Sequence, residues 1–345
     1  MAESATTMYT VSPSPHVHSG ASVRSLMRDV LIALTPALVA AVFHFGFDAV
    51  RLVAVCVGSC VGVEALCRRA MQRPVRVALA DLSAVVTGLL LAFNLPPSLP
   101  TWMAVAGSVF TIGLAKQAFG GLGYNPFNPA LAGRAFLLIS FTGRMTTWHA
   151  ARLPERWSLG GLSADAVTTA TPLGMVKEAV QDGAALPIAM DGATTVEYLL
   201  GNMGGCIGEV SALALIVGGL YLLCRRCISW HVPVSYLGTV ALLATAVWLI
   251  RPAAAMPPHF HLLTGGLMLG AFFMATDMVT TPVTPKGLLL FGAGCGLLTM
   301  VIRLAPTGIY PEGASFAILL MNALTPLINR ATRPRVFGHR AGEKP

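Results

Sequence analysis

Ten stretches of this chain are apolar for long enough to cross, or nearly cross, a lipid bilayer, and no other feature narrows its possible folds so far. They cover about 27–47, 49–67, 79–95, 101–117 and 127–142, then 203–223, 233–250, 261–276, 287–303 and 314–330. A spanning helix needs roughly 20 mostly apolar residues, with about 17 as the lower limit. Backbone polar groups inside lipid must bond to one another, so helices or closed barrels are the only solutions. A barrel would show alternating segments of about ten residues; these runs are continuous. The pattern therefore predicts an all-α polytopic membrane protein with about ten transmembrane helices. Composition agrees: 11% of residues are charged, against about 25% in a soluble domain, too few to coat a soluble globule of this size. The apolar content excludes disorder. The 7 cysteines are too sparse for a disulfide scaffold. Arg28 and Asp29 open the first stretch and no A-x-A site follows, so it does not read as a signal peptide.

Lys and Arg near the span ends predict the orientation. With the N-terminus inside, fifteen of the 23 lie on the cytoplasmic side, among them Arg68, Arg69, Arg73 and Arg76. Seven lie outside: Arg51, Arg144, Arg152, Arg156, Lys177, Arg251 and Arg303; Arg134 falls within a span. Basic cytoplasmic loops account for the net charge of +8, and no nucleic-acid partner is needed. The chain divides into a first five-helix unit (1–142), a long polar loop on the outer face (143–202), a second five-helix unit (203–330) and a basic cytoplasmic tail (331–345).

Five spans before the loop and five after it predict a 5+5 repeat whose second half is inserted upside down, an architecture of transporters. Val86-Thr87-Gly88-Leu89-Leu90 echoes Leu263-Thr264-Gly265-Gly266-Leu267, and Gly123-Tyr124-Asn125-Pro126 echoes Ile309-Tyr310-Pro311-Glu312. Helix-breaking prolines follow the third span (Pro96, Pro97) and the eighth (Pro282). A small-solute channel or transporter fits all of this as well.

Ionisable residues in or near spans are functional hypotheses by default. Glu64, Asp81, Lys116, Arg134, Glu209, Asp277 and Glu312 qualify. Asp81, Lys116 and Asp277 lie near cytoplasmic ends, where snorkelling or capping explains them. Arg134 lies deeper and requires a carboxylate or carbonyl partner. Gly120 to Gly123 is no phosphate loop, because no Gly-Lys-Ser/Thr follows. Asn128 and Pro129 read as the cap and first residue of a helix. The cysteines, including Cys56, Cys60, Cys67, Cys224 and Cys227, offer no convincing four-ligand set, and packing is the expected role. His16, His18, His259 and His261 are too scattered for haem. In the outer loop, Asp165-Ala166-Val167-Thr168-Thr169-Ala170-Thr171-Pro172-Leu173 reads as a small, exposed strip, with Pro172 holding Thr171 extended.

These segments together resemble the D subunits of Rnf complexes, the ion-translocating ferredoxin:NAD oxidoreductases of bacterial membranes. At one remove the chain is similar to the B subunits of sodium-translocating quinone reductases. The resemblance rests on Ser14-Pro15-His16, Asn94-Leu95-Pro96-Pro97, Lys116 through Ala130, Met268 through Phe273, Thr276-Asp277, and Thr332 through Gly338. It implies that Thr171, closing an Asp-x-x-Ser/Thr-x-Ala-Thr strip, carries FMN through a phosphoester, which makes it formally a phosphoprotein. A separate flavin transferase would attach the group. Asp165, Thr168 and Ala170 fill the other motif positions; Thr169 stands where Gly is frequent. The rival acceptor is Thr194, in Asp191-Gly192-Ala193-Thr194, which has Ile188 where Asp is expected. The resemblance further implies a second, non-covalent flavin such as riboflavin, for which Asn125 to Pro129 is the candidate region. It implies a multi-pass place in the bacterial inner membrane, with the flavin loop periplasmic. Other Rnf-type subunits would handle NAD and ferredoxin, since this chain has neither a dinucleotide fingerprint nor an iron–sulfur ligand set. Arg144, Arg152, Arg156 and Lys177 are available to offset flavin phosphate charge.

Overall fold

A capping box opens the first helix. Ser22 accepts the Ser25 N–H at 3.1 Å and the Ser22 N–H reaches the Ser25 hydroxyl at 3.0 Å. This computed structural model describes residues 22–75, 80–149, 168–201, 203–209, 211–252, 255–305 and 312–334. The first half holds α1 (Val23–Phe45), α2 (Phe47–Ala70), α3 (Ser83–Phe93), α4 (Thr101–Val109) and α5 (Pro129–Ser140). Helix α4 runs without a break into a π-helical segment, Phe110–Gln117. The loop between the two halves contributes a helical turn at Thr142–Met145 and a short antiparallel pair, β1 (Trp148–His149) and β2 (Thr168–Thr169). Two helices follow, α6 (Pro172–Gln181) and α7 (Gly192–Leu200). The second half holds α8 (Ala212–Cys224), α9 (His231–Ile250), α10 (Pro258–Leu263), α11 (Leu267–Leu269, then a π turn at Gly270–Met274), α12 (Pro285–Leu304) and α13 (Ala314–Ala331).

Four of these, α1, α2, α9 and α12, are long and apolar enough to cross a bilayer. Of the other expected spans, 101–117 and 314–330 are continuous helices (Thr101–Gln117 and Ala314–Ala331), and the rest differ from the sequence pattern. Helices α3, α5 and α8 have 11, 12 and 13 residues. At 1.5 Å per residue, α3 reaches only about half of a hydrocarbon core some 30 Å thick. The expected span 261–276 is broken in two at Gly265 (φ 70°) and Gly266 (φ 64°). Leu82, just before α3, also sits at φ 64°. A left-handed residue cannot continue a right-handed helix. Broken backbone at membrane depth is tolerated where protein buries it. All of α3 except Val85 and Thr87 is buried, as is the whole of Leu267–Met274.

The helices repeat in order and in spacing. Starts at 47, 83, 101 and 129 recur at 231, 267, 285 and 314, a constant interval to within one residue. The register places Leu82 opposite Gly266. Thr264 lies before its left-handed residue whereas Thr87 lies after its own, so the echo between those threonines is not the structural correspondence. Tyr310, partner in the other echo, lies outside the described residues.

Helices α1 and α8 join the two halves. Gly218 allows it: a Cβ there would lie 2.0 Å from the Ala33 carbonyl oxygen. Small residues permit such approach between membrane helices. Because the obstacle is backbone, Gly218→Ala forces the helices apart. We expect a loss of roughly 1–3 kcal/mol, read as a lowered midpoint in thermal unfolding of the detergent-solubilised protein; an unchanged midpoint would contradict this packing.

A satellite core of Leu173, Val176, Tyr198, Met203, Met256 and Phe260 lies apart from the main one. It fixes α6 and α7 against α10.

Candidate functional site

Pro172 sets the local geometry. Its ring suits the first helical position and lacks the N–H that would otherwise be unpaired. Thr171 is therefore extended (φ −66°, ψ 151°), and its Oγ1 accepts the Gly174 N–H at 3.1 Å, capping α6. The expectation of an exposed acceptor needs correcting: Thr171 is only 7% exposed. The cause is the apolar face of α6. Leu173 and Val176 point into the satellite core and turn the cap residue inward with them. Ala170 is exposed. Asp165, Arg152 and Arg156 lie outside the described residues. The β2 backbone pairs Thr168 with His149 and Thr169 with Trp148.

Three features mark the helix that Thr171 caps. The first turn of α6 holds no acidic residue. Gly174 leaves room, since a Cβ there would lie 3.1 Å from Thr171 Oγ1. Lys177, on the same helix, has a buried Nζ with no hydrogen-bond partner among the described residues, and burial lowers its pKa. Arg144 is exposed in the preceding helical turn.

Thr194 stands differently. It lies inside α7, whose cap is Asp191: the Asp191 carboxylate accepts the Thr194 N–H at 2.8 Å. Hydrogen bonds from Thr194 hold that carboxyl below the usual carboxylate range. The N-terminus of α7 is thus already filled by a negative charge.

Helix α6 seats on the break between α10 and α11. A Cβ on Gly265 would meet Leu173 Cδ1 at 2.3 Å. Beneath lies Arg303. It donates to the carbonyls of His261 at 2.6 Å, Thr264 at 2.9 Å, Gly265 at 3.3 Å and Glu312 at 3.1 Å. These include oxygens that the helix break leaves without intrahelical donors. Counting charges along the sequence places Arg303 in an outer loop; the fold buries it at the end of α12. Lys116 plays a comparable part in the first half, three residues out of the repeat register. It is buried, not snorkelled as expected, and donates to Glu64 Oε2 at 2.8 Å and Ser83 Oγ at 2.7 Å. Lys116 lies at the end of the α4 helix and reaches the start of α3, and Arg303 lies at the end of α12 and reaches the break before α11.

Arg134 finds the partners its depth required: it pairs with Glu312 and donates to Asn94 Oδ1 at 2.8 Å. Cys206, which no sequence motif singles out, lies with Glu209 and Glu312, their ligand atoms all within 4.8 Å of one another. Cys56, Cys60 and Cys295 are core residues. Asp81 caps α3 through the Ser83 N–H at 2.8 Å, and Asp277 takes the Val279 N–H at 3.4 Å, both as expected. Asn128 caps α5 and its amide reaches the Met274 carbonyl at 3.2 Å. Beside it, a partly open apolar cavity of about 120 Å³ is lined by Val30, Leu90, Lys116, Asn125 and Phe273 among others.

A family model described as NQR2, RnfD, RnfE matches residues 10–338. The chain belongs to the NQR2, RnfD, RnfE family. Its similarity extends to three relatives, each the D subunit of its complex. That of the Na(+)-translocating ferredoxin:NAD(+) oxidoreductase complex of Acetobacterium woodii is 49% identical over 95% of each chain. That of the proton-translocating ferredoxin:NAD(+) oxidoreductase complex of Clostridium ljungdahlii is 44% identical over 96% of this chain and 97% of that one. That of the ion-translocating oxidoreductase complex of Escherichia coli is 40% identical over 97% of this chain and all of that one. The NQR2, RnfD, RnfE relationship therefore spans both helical halves and the loop between them.

Proposed function

We propose that this chain is the membrane subunit of a redox-driven cation translocase that couples ferredoxin and NAD electron transfer to ion movement. In this reading it carries FMN as a phosphoester on Thr171 Oγ1. The names of the A. woodii and C. ljungdahlii relatives support the complex and its chemistry. The observation that carries the flavin assignment is the contrast between the two threonines. Thr171 Oγ1 is itself the cap of a helix with no acid in its first turn, whereas the helix start beside Thr194 already holds Asp191.

The physical reason is charge. A helix N-terminus offers unpaired N–H groups and a partial positive charge, and both favour a phosphate. On Thr171, a phosphate would inherit the Gly174 N–H. A phosphate on Thr194 would stand against the Asp191 carboxylate. The bound flavin supplies one- and two-electron redox chemistry; the protein holds and tunes it. Because Thr171 is buried, a separate flavin transferase meets its hydroxyl before α6 is seated on Gly265.

The remaining assignments follow from the same reading. The repeat is inverted, with units 1–142 and 203–330 flanking the 143–202 loop and the basic 331–345 tail inside. The loop faces the periplasm of a bacterial inner membrane. The cavity beside Asn128 takes a second, non-covalent flavin such as riboflavin. Other Rnf-type subunits supply the NAD and ferredoxin sites.

The test is peptide mass spectrometry of the protein made in a host with an active flavin transferase. We expect the peptide containing residue 171 to carry the mass of an FMN phosphoester, and the peptide containing residue 194 to be unmodified. An unmodified residue 171 overturns the assignment.

A further inference from the structure

Glu209 closes the 3-10 turn Ile207–Glu209, which precedes α8. It is 7% exposed, yet its Oε1 meets no hydrogen-bond donor among the described residues. The nearby guanidinium of Arg134 stands 3.9 Å away, too far for a hydrogen bond. That guanidinium is engaged with Asn94 and Glu312. Arg303, whose charge also acts on Glu209, has its donors on backbone carbonyls. A carboxylate oxygen kept from water is strongly disfavoured unless something answers its charge.

On two sides the carboxylate meets backbone rather than side chains. A Cβ on Gly205 would lie 3.0 Å from Glu209 Oε2, and one on Gly266 would lie 2.9 Å from Oε1. Two glycines thus border the carboxylate with no side chain of their own. A Glu312 carboxylate oxygen and Cys206 Sγ lie within 4.8 Å. The charged and titratable groups facing Glu209 are Arg134 from α5, Arg303 from α12, Glu312 from the segment before α13, and Cys206 from its own turn. With two guanidiniums in the cluster, a univalent cation is favoured over a divalent one.

We propose that Glu209 is a cation-exchange site of this protein: its Oε1 carries a univalent cation, a proton or a sodium ion, in the space bordered by Gly205, Gly266 and Glu312. Arg134 is the internal competitor. It now bonds Glu312; moved about 1 Å toward Glu209 it would come within hydrogen-bonding distance and displace the cation. The site also lies under the flavin helix, because Leu173 packs against Gly265, the neighbour of Gly266. A movement of α6 is therefore transmitted to the exchange site through direct contact. The proposal rests on the reading of the chain as part of a cation translocase.

The test uses the complete complex in membrane vesicles, driven by reduced ferredoxin and NAD, with Glu209→Gln as the neutral isostere. In-gel flavin fluorescence is scored on the same material, so a failure at Thr171 is seen separately from a failure at Glu209. We expect Glu209→Gln to keep the flavin and to move at least tenfold fewer cations per electron, with Glu209→Asp recovering part of the loss. An unchanged ratio overturns the proposal. Carbodiimide labelling of the unmodified complex gives a second measure that needs no variant. Labelling of Glu209 that NaCl suppresses at fixed pH identifies sodium; labelling insensitive to NaCl that falls as pH rises identifies a proton. Absence of labelling at every pH and salt concentration also overturns it.

Discussion

Thr171→Ala is expected to abolish the covalent flavin band in a denaturing gel, while Thr194→Ala leaves it at full intensity. The argument is chemical. A phosphoester needs a side-chain oxygen, and alanine offers none at the start of α6, whose first turn holds no acidic residue. The fold should survive. Losing a threonine cap costs about 1 kcal/mol, within a range of roughly 0.5–2, and the satellite core under Leu173 and Val176 is unchanged. Ferredoxin-to-NAD electron transfer in the assembled complex should fall at least tenfold. A fluorescent band that persists in Thr171→Ala and disappears in Thr194→Ala would move the site to α7. Electron transfer undiminished in Thr171→Ala would leave this chain a scaffold, and a passive pore would then be as good a reading.

Lys116→Met should be among the most destabilising single changes. Lys116 and Glu64 are both fully buried, and the ammonium answers the carboxylate at 2.8 Å. Methionine keeps the apolar stem and removes the charge. Among the described residues Glu64 is then left with the Gln117 amide at 3.0 Å, and breaking a buried pair from one side typically costs about 3–5 kcal/mol. The Ser83 hydroxyl at the start of α3 also loses its donor. Removing both charges is a different matter. Lys116→Met with Glu64→Leu replaces the pair by apolar groups of similar size, which is often neutral, so the double variant should recover most of the loss. Thermal unfolding in detergent, compared across the two single variants and the double, checks this. Strictly additive losses would show that the two residues are not coupled as the structure has them.

Much of the site is readable locally. Pro172 after Thr171 and Pro129 after Asn128 each mark a helix start, because proline fits the first helical position and the residue before it is driven extended. The helical class and the membrane follow from apolar run length alone. The broken third helices are half legible. Gly265-Gly266 carries a breaker that any reading can see, but its counterpart Leu82 adopts the left-handed conformation without glycine, and nothing local announces that. The echo between Thr87 and Thr264 misleads for a related reason: in an alphabet of Val, Leu, Thr and Gly, short matches arise out of register.

What each segment becomes is written in its own residues: long apolar runs must be helices in lipid, and a proline must begin the helix that its neighbour caps. Which charges meet is settled only in three dimensions. Lys116 finds Glu64 across 52 residues, and Arg303 finds the carbonyls of a break some forty residues earlier. Arg134 draws Glu312 and faces Glu209 from the other half of the chain. Periodicity and capping are local properties of a backbone. The burial of a charge is decided by whatever the folded chain brings within about 4 Å of it, where low dielectric makes the partner indispensable.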